Sequence, residues 1–109
     1  MGPGLFGGAA AERSLLFLAN YGEGYPREIA RTFGLNLSSV QGQLDRFEAA
    51  GVLSSRLRGR TRLYVINPRY AFRQELSALL SRMLESASEQ ERERYFRART
   101  RPRRRGKPL

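Results

Sequence analysis

Two amphipathic segments joined by a three-residue turn constrain the fold of this 109-residue chain more than any other feature of the sequence. Pro26 suits the first position of a helix, because the missing N–H of proline needs no partner there. Gly34 can end that helix in the left-handed conformation, and Asn36 can cap a second helix that runs from Leu37 to about Ala50. The buried faces of the two helices are predicted to be Ile29, Ala30 and Phe33, and Leu37, Val40, Leu44 and Phe47.

The flanking segments complete a small, mainly helical domain. An apolar stripe predicts a first helix from about Ala9 to Asn20, with Glu12 and Arg13 on its solvent side and Ser14 as a surface residue. After Gly51 the period changes to two, and residues 52–66 read as an antiparallel hairpin whose tip is Arg58-Gly59-Arg60. The order helix, helix, turn, helix, hairpin, helix predicts a winged helix-turn-helix, mainly α with a small antiparallel β-hairpin.

The last apolar stripe predicts a C-terminal helix from about Tyr70. Its apolar positions are Phe72, Leu76, Leu79, Leu80, Met83 and Leu84, with Ala87 extending the face. Because a domain of this size needs only part of that surface for its core, Leu79, Leu80, Met83 and Leu84 are interpreted as a dimer seam. The alternative is that this helix folds back on the first helix of its own chain.

The chain therefore divides into four parts. Residues 1–8 are an N-terminal arm, residues 9–68 a winged helix-turn-helix domain, residues 69–91 the C-terminal helix and residues 92–109 a basic tail predicted to be disordered. The net charge is +10, and nine of the 20 basic residues lie in the tail with one acid. Such a run attracts polyanions, so nucleic acid is the first candidate partner and an anionic membrane surface the second.

Composition argues against catalysis. The chain has no Cys, no His and a single Asp, so thiol nucleophiles, histidine bases and ordinary zinc sites are excluded. We expect no enzyme activity, no metal and no cofactor. We also expect no membrane segment, because no apolar stretch approaches the roughly 18 residues of a membrane span. The N-terminus does not resemble a signal peptide, so a cytoplasmic, nucleoid-associated protein is expected.

The second helix of the pair presents the candidate reading face. With Val40 directed inward, Ser38, Gly42 and Asp45 lie furthest outward, and Ser39, Gln41 and Arg46 flank them, with Gln43 nearer the core. Glutamine amides can read adenine and serine can bond phosphates or bases. Arginines suit the DNA backbone and the minor groove, and four surround the hairpin tip: Arg56, Arg58, Arg60 and Arg62. Asp45 is interpreted as a solvated or salt-bridged surface residue.

From Leu5 to about Leu84 the chain resembles winged helix-turn-helix transcriptional regulators of the ArsR/MarR-like superfamily. It is most similar to a subgroup associated with nucleotidyltransferase domains. The resemblance is carried by residues 5–7, 27–31, 38–41, 44–53 and 64–68. It implies sequence-specific duplex DNA binding by a homodimer. Carried over by position, the DNA contacts would be Arg27, Ser38, Ser39, Gln41, Gln43 and Arg46, with the wing from Arg58 through Arg60 to Arg62 beside them.

Two other functions stay open at this point. Winged helices also serve as protein-interaction modules, so an adaptor or an antitoxin-like partner of a separately encoded enzyme is the main alternative. An RNA-binding protein is the third hypothesis, and it requires exposed stacking aromatics. The DNA-binding regulator and the adaptor differ in their need for the wing arginines, because the adaptor would tolerate the loss of these arginines and the regulator would not.

Overall fold

The computed structural model describes residues 5–97, which form five α-helices and one two-stranded antiparallel sheet. The helices are α1 (Ala9–Tyr21), α2 (Pro26–Phe33), α3 (Leu37–Ala49), α4 (Arg73–Glu85) and α5 (Glu89–Arg94), and the strands, between α3 and α4, are β1 (Leu53–Arg58) and β2 (Thr61–Ile66). The fold is a winged helix-turn-helix, as the sequence predicts, with β1 and β2 as the wing.

The turn between α2 and α3 forms through the predicted local signals. Pro26 opens α2, and Gly34 ends it in the left-handed region with φ of 66°. The amide of Leu35 donates to the Ala30 carbonyl at 2.9 Å, which satisfies one of the last carbonyls of α2. Asn36 then caps α3, since its Oδ1 accepts from the Ser39 amide at 3.2 Å. These short-range contacts set the geometry in which α3 crosses α2.

The wing is a tight hairpin. Its strands pair from Leu53 opposite Ile66 to Arg58 opposite Thr61, so that Gly59 and Arg60 form the loop. Gly59 has φ of 66°, as two-residue hairpin loops commonly require. Gly24, in the loop between α1 and α2, adds a short bridge to β2, because Gly24 and Tyr64 exchange both backbone hydrogen bonds.

The core surrounds α1, which packs against α3, α4 and β2. Among its buried residues are Leu15, Leu16, Leu18, Ile29, Val40, Leu44, Leu53 and Leu80. Two predictions for α1 are wrong, since Glu12 is 1% exposed and Ser14 is 0% exposed. The prediction assumed one solvent face, whereas α1 is covered on several sides.

The predicted C-terminal helix is shorter than expected. The Asn67 side chain accepts from the Arg69 amide at 3.0 Å, and further turns follow before α4 begins at Arg73. Phe72 therefore lies before the helix and is exposed, contrary to its predicted place on the apolar face. Leu80 is fully buried and α4 packs against α1 of the same chain, as the fold-back alternative requires. Leu79 remains 40% exposed.

The chain does not continue as one helix through residue 91. Helix α4 ends at Glu85, and Ser88 caps α5, because its Oγ accepts from the Glu91 amide at 3.1 Å while Glu91 Oε1 accepts from the Ser88 amide at 2.9 Å. This capping box starts a new helix.

Residues 92–97, which the sequence places in the disordered tail, are also ordered. Phe96 is 6% exposed and packs against Phe33 with the rings tilted and their centroids 5.7 Å apart. The Tyr21 hydroxyl donates to the Tyr95 carbonyl at 2.6 Å and accepts from the Arg97 amide at 3.2 Å. Buried aromatic area and these hydrogen bonds outweigh the local basic character of the segment.

Some of the predictions fall on residues outside the described range. These are the start of the arm, residues 1–4, and the remainder of the basic tail, residues 98–109. Across residues 5–97, no helix is long and apolar enough to cross a membrane. The same residues contain no group of three or more acidic side chains placed to hold a metal ion.

Candidate nucleic-acid interface

The outer face of α3 is polar and accessible. Ser38, Ser39 and Gln41 are exposed, while Val40 and Leu44 lie fully buried beneath them. The apolar residues anchor the helix to the core and turn the polar residues outward, as the helical period predicts. The Ser39 amide is already occupied by the Asn36 cap, so an incoming phosphate could not use that amide without displacing the cap.

Two of the predicted reading residues are bonded to each other. Arg46 donates from Nε and Nη2 to Gln43 Oε1, at 3.0 and 2.6 Å, and its guanidinium lies 4.8 Å from the Phe47 ring centroid. Gln43 is only partly accessible. Its carbonyl oxygen is engaged, so Gln43 and Arg46 would meet a nucleic acid as one linked pair.

A cleft separates α3 from the wing. It has a volume of about 350 Å³ and extends to the start of α2. Among the predicted site residues it brings together Arg27 of α2, Gln41 of α3, and Arg60 and Arg62 of the wing. Tyr25, Asp45 and Tyr64 also line it. Three arginines around one opening create a positive potential that favours phosphate groups.

The wing arginines divide between two faces of the hairpin. Arg62 lies opposite Leu57 in the sheet register and lines the cleft, with Arg60 in the adjoining loop. Arg56 and Arg58 alternate with Leu57 along β1 and so lie on the other face. Arg58 is exposed but does not line the cleft. The four arginines of the tip are therefore not equivalent.

Hydrogen bonds fix the wing against α3. Ser55 donates to Glu48 Oε2 at 2.7 Å and accepts from Arg62 Nη1 at 3.2 Å. Nearer the cleft, the Tyr64 hydroxyl donates to Asp45 Oδ1 at 3.2 Å. Burial, together with the nearby Asp45 carboxylate, raises the pKa of Tyr64 to about 12. The phenol therefore stays protonated, and able to donate, well above neutral pH.

The sequence does not reveal the contribution of Tyr64 and Tyr25. It places Tyr64 in a β-strand and Tyr25 immediately before α2, and it does not indicate that both line the cleft. A weak signal exists only for the partner of Tyr64, because Asp45 is the sole Asp of the sequence and lies on the helix face that the sequence assigns to DNA. The pairing itself depends on the angle between β2 and α3, which no local pattern reveals.

Comparison with solved structures identifies the same fold. A probable transcriptional regulator from Pseudomonas aeruginosa matches over 84% of this chain and 75% of its own, with 23% identity and a TM-score of 0.58. A homodimeric winged helix-turn-helix DNA-binding domain from Mycobacterium bovis, a possible ArsR-family regulator, matches over 75% and 74%, with 23% identity and a TM-score of 0.54. The AntR antimony-specific transcriptional repressor matches over 70% and 69%, with 26% identity and a TM-score of 0.52.

Neither the family models nor the curated proteins that were compared give a match. The fold and the comparisons together define a class: the chain is a winged helix-turn-helix protein, and the solved structures that it resembles include proteins described as transcriptional regulators, one of them a possible ArsR-family member.

Proposed function

We propose that this protein is a sequence-specific, duplex DNA-binding transcriptional regulator that acts by binding and not by catalysis. The observation that carries the proposal is the cleft in which Gln41 faces Arg27, Arg60 and Arg62 beside an exposed recognition helix. A helix in the major groove and a wing on the adjacent backbone would use these groups together. The neighbours described as transcriptional regulators support the same function.

The predicted contact residues have different roles in this proposal. Gln41 is the long amide facing the cleft, so it is assigned to base reading. Arg27, Arg60 and Arg62 are assigned to phosphates. Ser38, Ser39 and the linked pair Gln43–Arg46 lie on α3 outside the cleft, and Arg58 on the far side of the wing. These five would meet the DNA on either side of the strand that enters the cleft.

A homodimer is part of the proposal. Of the predicted seam residues, Leu80 is fully buried in its own chain and Met83 and Leu84 pack against the core, so the proposed seam depends on Leu79, which is 40% exposed. The Mycobacterium bovis neighbour is homodimeric. A two-fold dimer would place its recognition helices about 34 Å apart, or a multiple of it, and would bind an inverted repeat.

The central test is selection of bound duplexes from random DNA, followed by binding of variants to the selected site and to a scrambled site. Gln41→Ala should weaken binding to the selected site by about 1–3 kcal/mol and change scrambled binding little. Arg60→Ala should weaken both about equally, because it removes a backbone contact. Arg69→Ala, at the opposite end of the hairpin from the tip, is the matched control and should bind like the parent.

Two results would contradict the proposal. If the parent shows no sequence preference, specific regulation is refuted. If Gln41→Ala and Arg60→Ala both bind DNA like the parent while a protein partner dissociates, the adaptor or antitoxin-like function takes its place. Co-purification with a nucleotidyltransferase would support membership of the subgroup associated with such domains, and cross-linking to chromosomal DNA in cells would support a nucleoid-associated location in the cytoplasm.

The dimer is tested separately by sedimentation. Leu79→Glu would place a charge in the proposed seam and should shift the protein to monomer. Leu57→Glu is the matched control, because Leu57 is 62% exposed but lies on the wing. Equal sedimentation of parent and Leu79→Glu would refute the seam on α4.

A further inference from the structure

Asp45 stands out because it is an acid on the surface assigned to DNA. It lies four residues after Gln41, and both side chains line the cleft between α3 and the wing. Positions four apart share a helix face, so Asp45 would approach the same groove as Gln41. Its carboxylate would repel phosphates, which makes it costly on a surface that only attracted DNA nonspecifically.

The structure holds this carboxylate in place. Tyr64 donates to Asp45 Oδ1 at 3.2 Å. Tyr64 is itself fixed, because it pairs with Ser55 across the sheet and exchanges two backbone hydrogen bonds with Gly24. Asp45 is therefore positioned by a rigid neighbour, unlike a solvated surface acid whose side chain is unrestrained.

The cleft arginines do not neutralise Asp45. Within residues 5–97 it forms no ion pair, although Arg60 and Arg62 line the same cleft. A carboxylate has acceptor positions on both oxygens, so the Tyr64 hydroxyl leaves acceptor capacity for a second donor. Asp45 is exposed, so this acceptor capacity is open to solvent and to a hydrogen-bond donor on a bound molecule.

The chemistry of the major groove identifies that donor. Guanine presents two acceptors there, and acceptors repel a carboxylate. Adenine presents an amine, but the N7 acceptor beside that amine repels a carboxylate as well. Cytosine presents its N4 amine alone. We infer that Asp45 is a specificity-determining residue that accepts a hydrogen bond from a cytosine N4 amine, with Tyr64 as its positioning residue. This inference rests on the proposed duplex DNA binding.

Asp45 would then act in two ways. It would favour a cytosine at one position of the site, and it would weaken binding to every other sequence by repelling phosphates or base acceptors. Discrimination by a combination of attraction and repulsion is a common source of binding specificity.

The test compares the base preferences of the full chain and three variants, by selection from random duplexes and by direct binding. Asp45→Asn keeps the shape of the side chain but replaces the carboxylate with an amide, whose donor and acceptor fit adenine, so the cytosine preference at one position should fall by about tenfold in favour of adenine. The same variant should bind scrambled DNA more tightly, because it removes a negative charge. Tyr64→Phe should reduce the same preference by a smaller factor. Glu48→Gln removes the other acid in the C-terminal half of α3, which is bonded to Ser55 and absent from the cleft lining, and should keep the preference.

Melting curves show whether each variant is folded. A folded Asp45→Asn that retains the parent's cytosine preference would overturn the inference. The inference would also be overturned if the parent protein has a clear sequence preference and neither Asp45→Asn nor Tyr64→Phe changes the base preference at any position. Should Asp45→Asn fail to fold, Tyr64→Phe decides the matter through the same base-preference readout. A parent that shows no duplex preference would instead refute the proposed function itself, so the two failures are distinguishable.

Discussion

Gly24→Ala offers a direct test of how tightly the wing is joined to the core. A Cβ on Gly24 would lie 2.6 Å from Phe17 Cε1, 2.9 Å from Cδ1 of the same ring and 3.3 Å from Leu18 Cδ2. Carbon atoms prefer about 3.5–4.0 Å, so the Phe17 ring would have to move by about 1 Å. The glycine is needed here for close approach of the backbone to α1.

Neither side of this contact can move easily. Phe17 is buried, with its ring centroid 4.6 Å from that of Tyr21 and 6.4 Å from that of Phe33. On the other side, the Gly24 backbone makes both hydrogen bonds to Tyr64, so withdrawing the loop would stretch them. Overpacking of this kind costs about 1–3 kcal/mol, and we expect Gly24→Ala to lower the free energy of unfolding by that amount.

Gly42→Ala is the matched control, because it is the same chemical change with the opposite expected sign. Gly42 lies within α3, and a Cβ there would meet nothing within 4 Å. Alanine in a helix interior is more stable than glycine by about 0.5–1 kcal/mol. Urea unfolding should show a lower midpoint for Gly24→Ala and a higher one for Gly42→Ala, with similar slopes. A Gly24→Ala variant as stable as the parent would refute the reasoning.

Further predictions concern the core, the buried phenol and the tail. Val40→Ala should lower the free energy of unfolding by about 0.5–3 kcal/mol in a urea titration, because Val40 is fully buried. The pKa of Tyr64 is about 12 in the folded protein and near 10 in the unfolded chain, so the protonated phenol favours the folded state. This contribution of up to about 3 kcal/mol is fully present below pH 10 and should be lost as pH rises from about 10 to about 12. Over the same pH range, the free energy of unfolding of Tyr64→Phe should decrease less. Phe96→Ala should cost about 3 kcal/mol, measured by thermal melting, since its ring is buried against Phe33. Deleting residues 98–109 should flatten the dependence of log K on log salt by about 0.9 for each phosphate that the tail neutralises in the parent, without changing the preferred sequence; a changed preference would contradict this.

The central part of the fold could be predicted because its signals are local. Pro26, Gly34 and Asn36 each act through contacts within four residues of themselves, and the structure confirms all three roles. The hairpin loop at Gly59 is local in the same sense. Each of these residues favours one backbone conformation regardless of what packs around it, so the sequence alone is sufficient evidence.

The segments that differ from the sequence-based prediction depend on distant partners. Glu12 and Ser14 are buried because α1 is packed on several sides, which a single-faced helical pattern cannot show. Phe96 lies among arginines, and its burial depends on Phe33, more than 60 residues earlier in the chain. Local charge dominates the prediction for residues 92–97, whereas long-range aromatic packing decides their structure. The burial of α1 and the contact between Phe33 and Phe96 both join residues that are distant in the sequence, so local patterns could not predict them.

The candidate site shows the same division between local and distant information. The exposed face of α3 follows from its helical period, but the relation of that face to the wing depends on two hydrogen-bonded links, from Tyr64 to Asp45 and from Arg62 through Ser55 to Glu48. Both links join α3 to the wing within one chain. Helix α3 and the wing therefore form a single preorganised surface. Under the proposed function, a DNA strand that enters the cleft would meet side chains that are already held in position. Because preorganisation reduces the ordering cost of binding, the contacts proposed for Gln41 and Asp45 would contribute more of their interaction energy to discrimination between sequences.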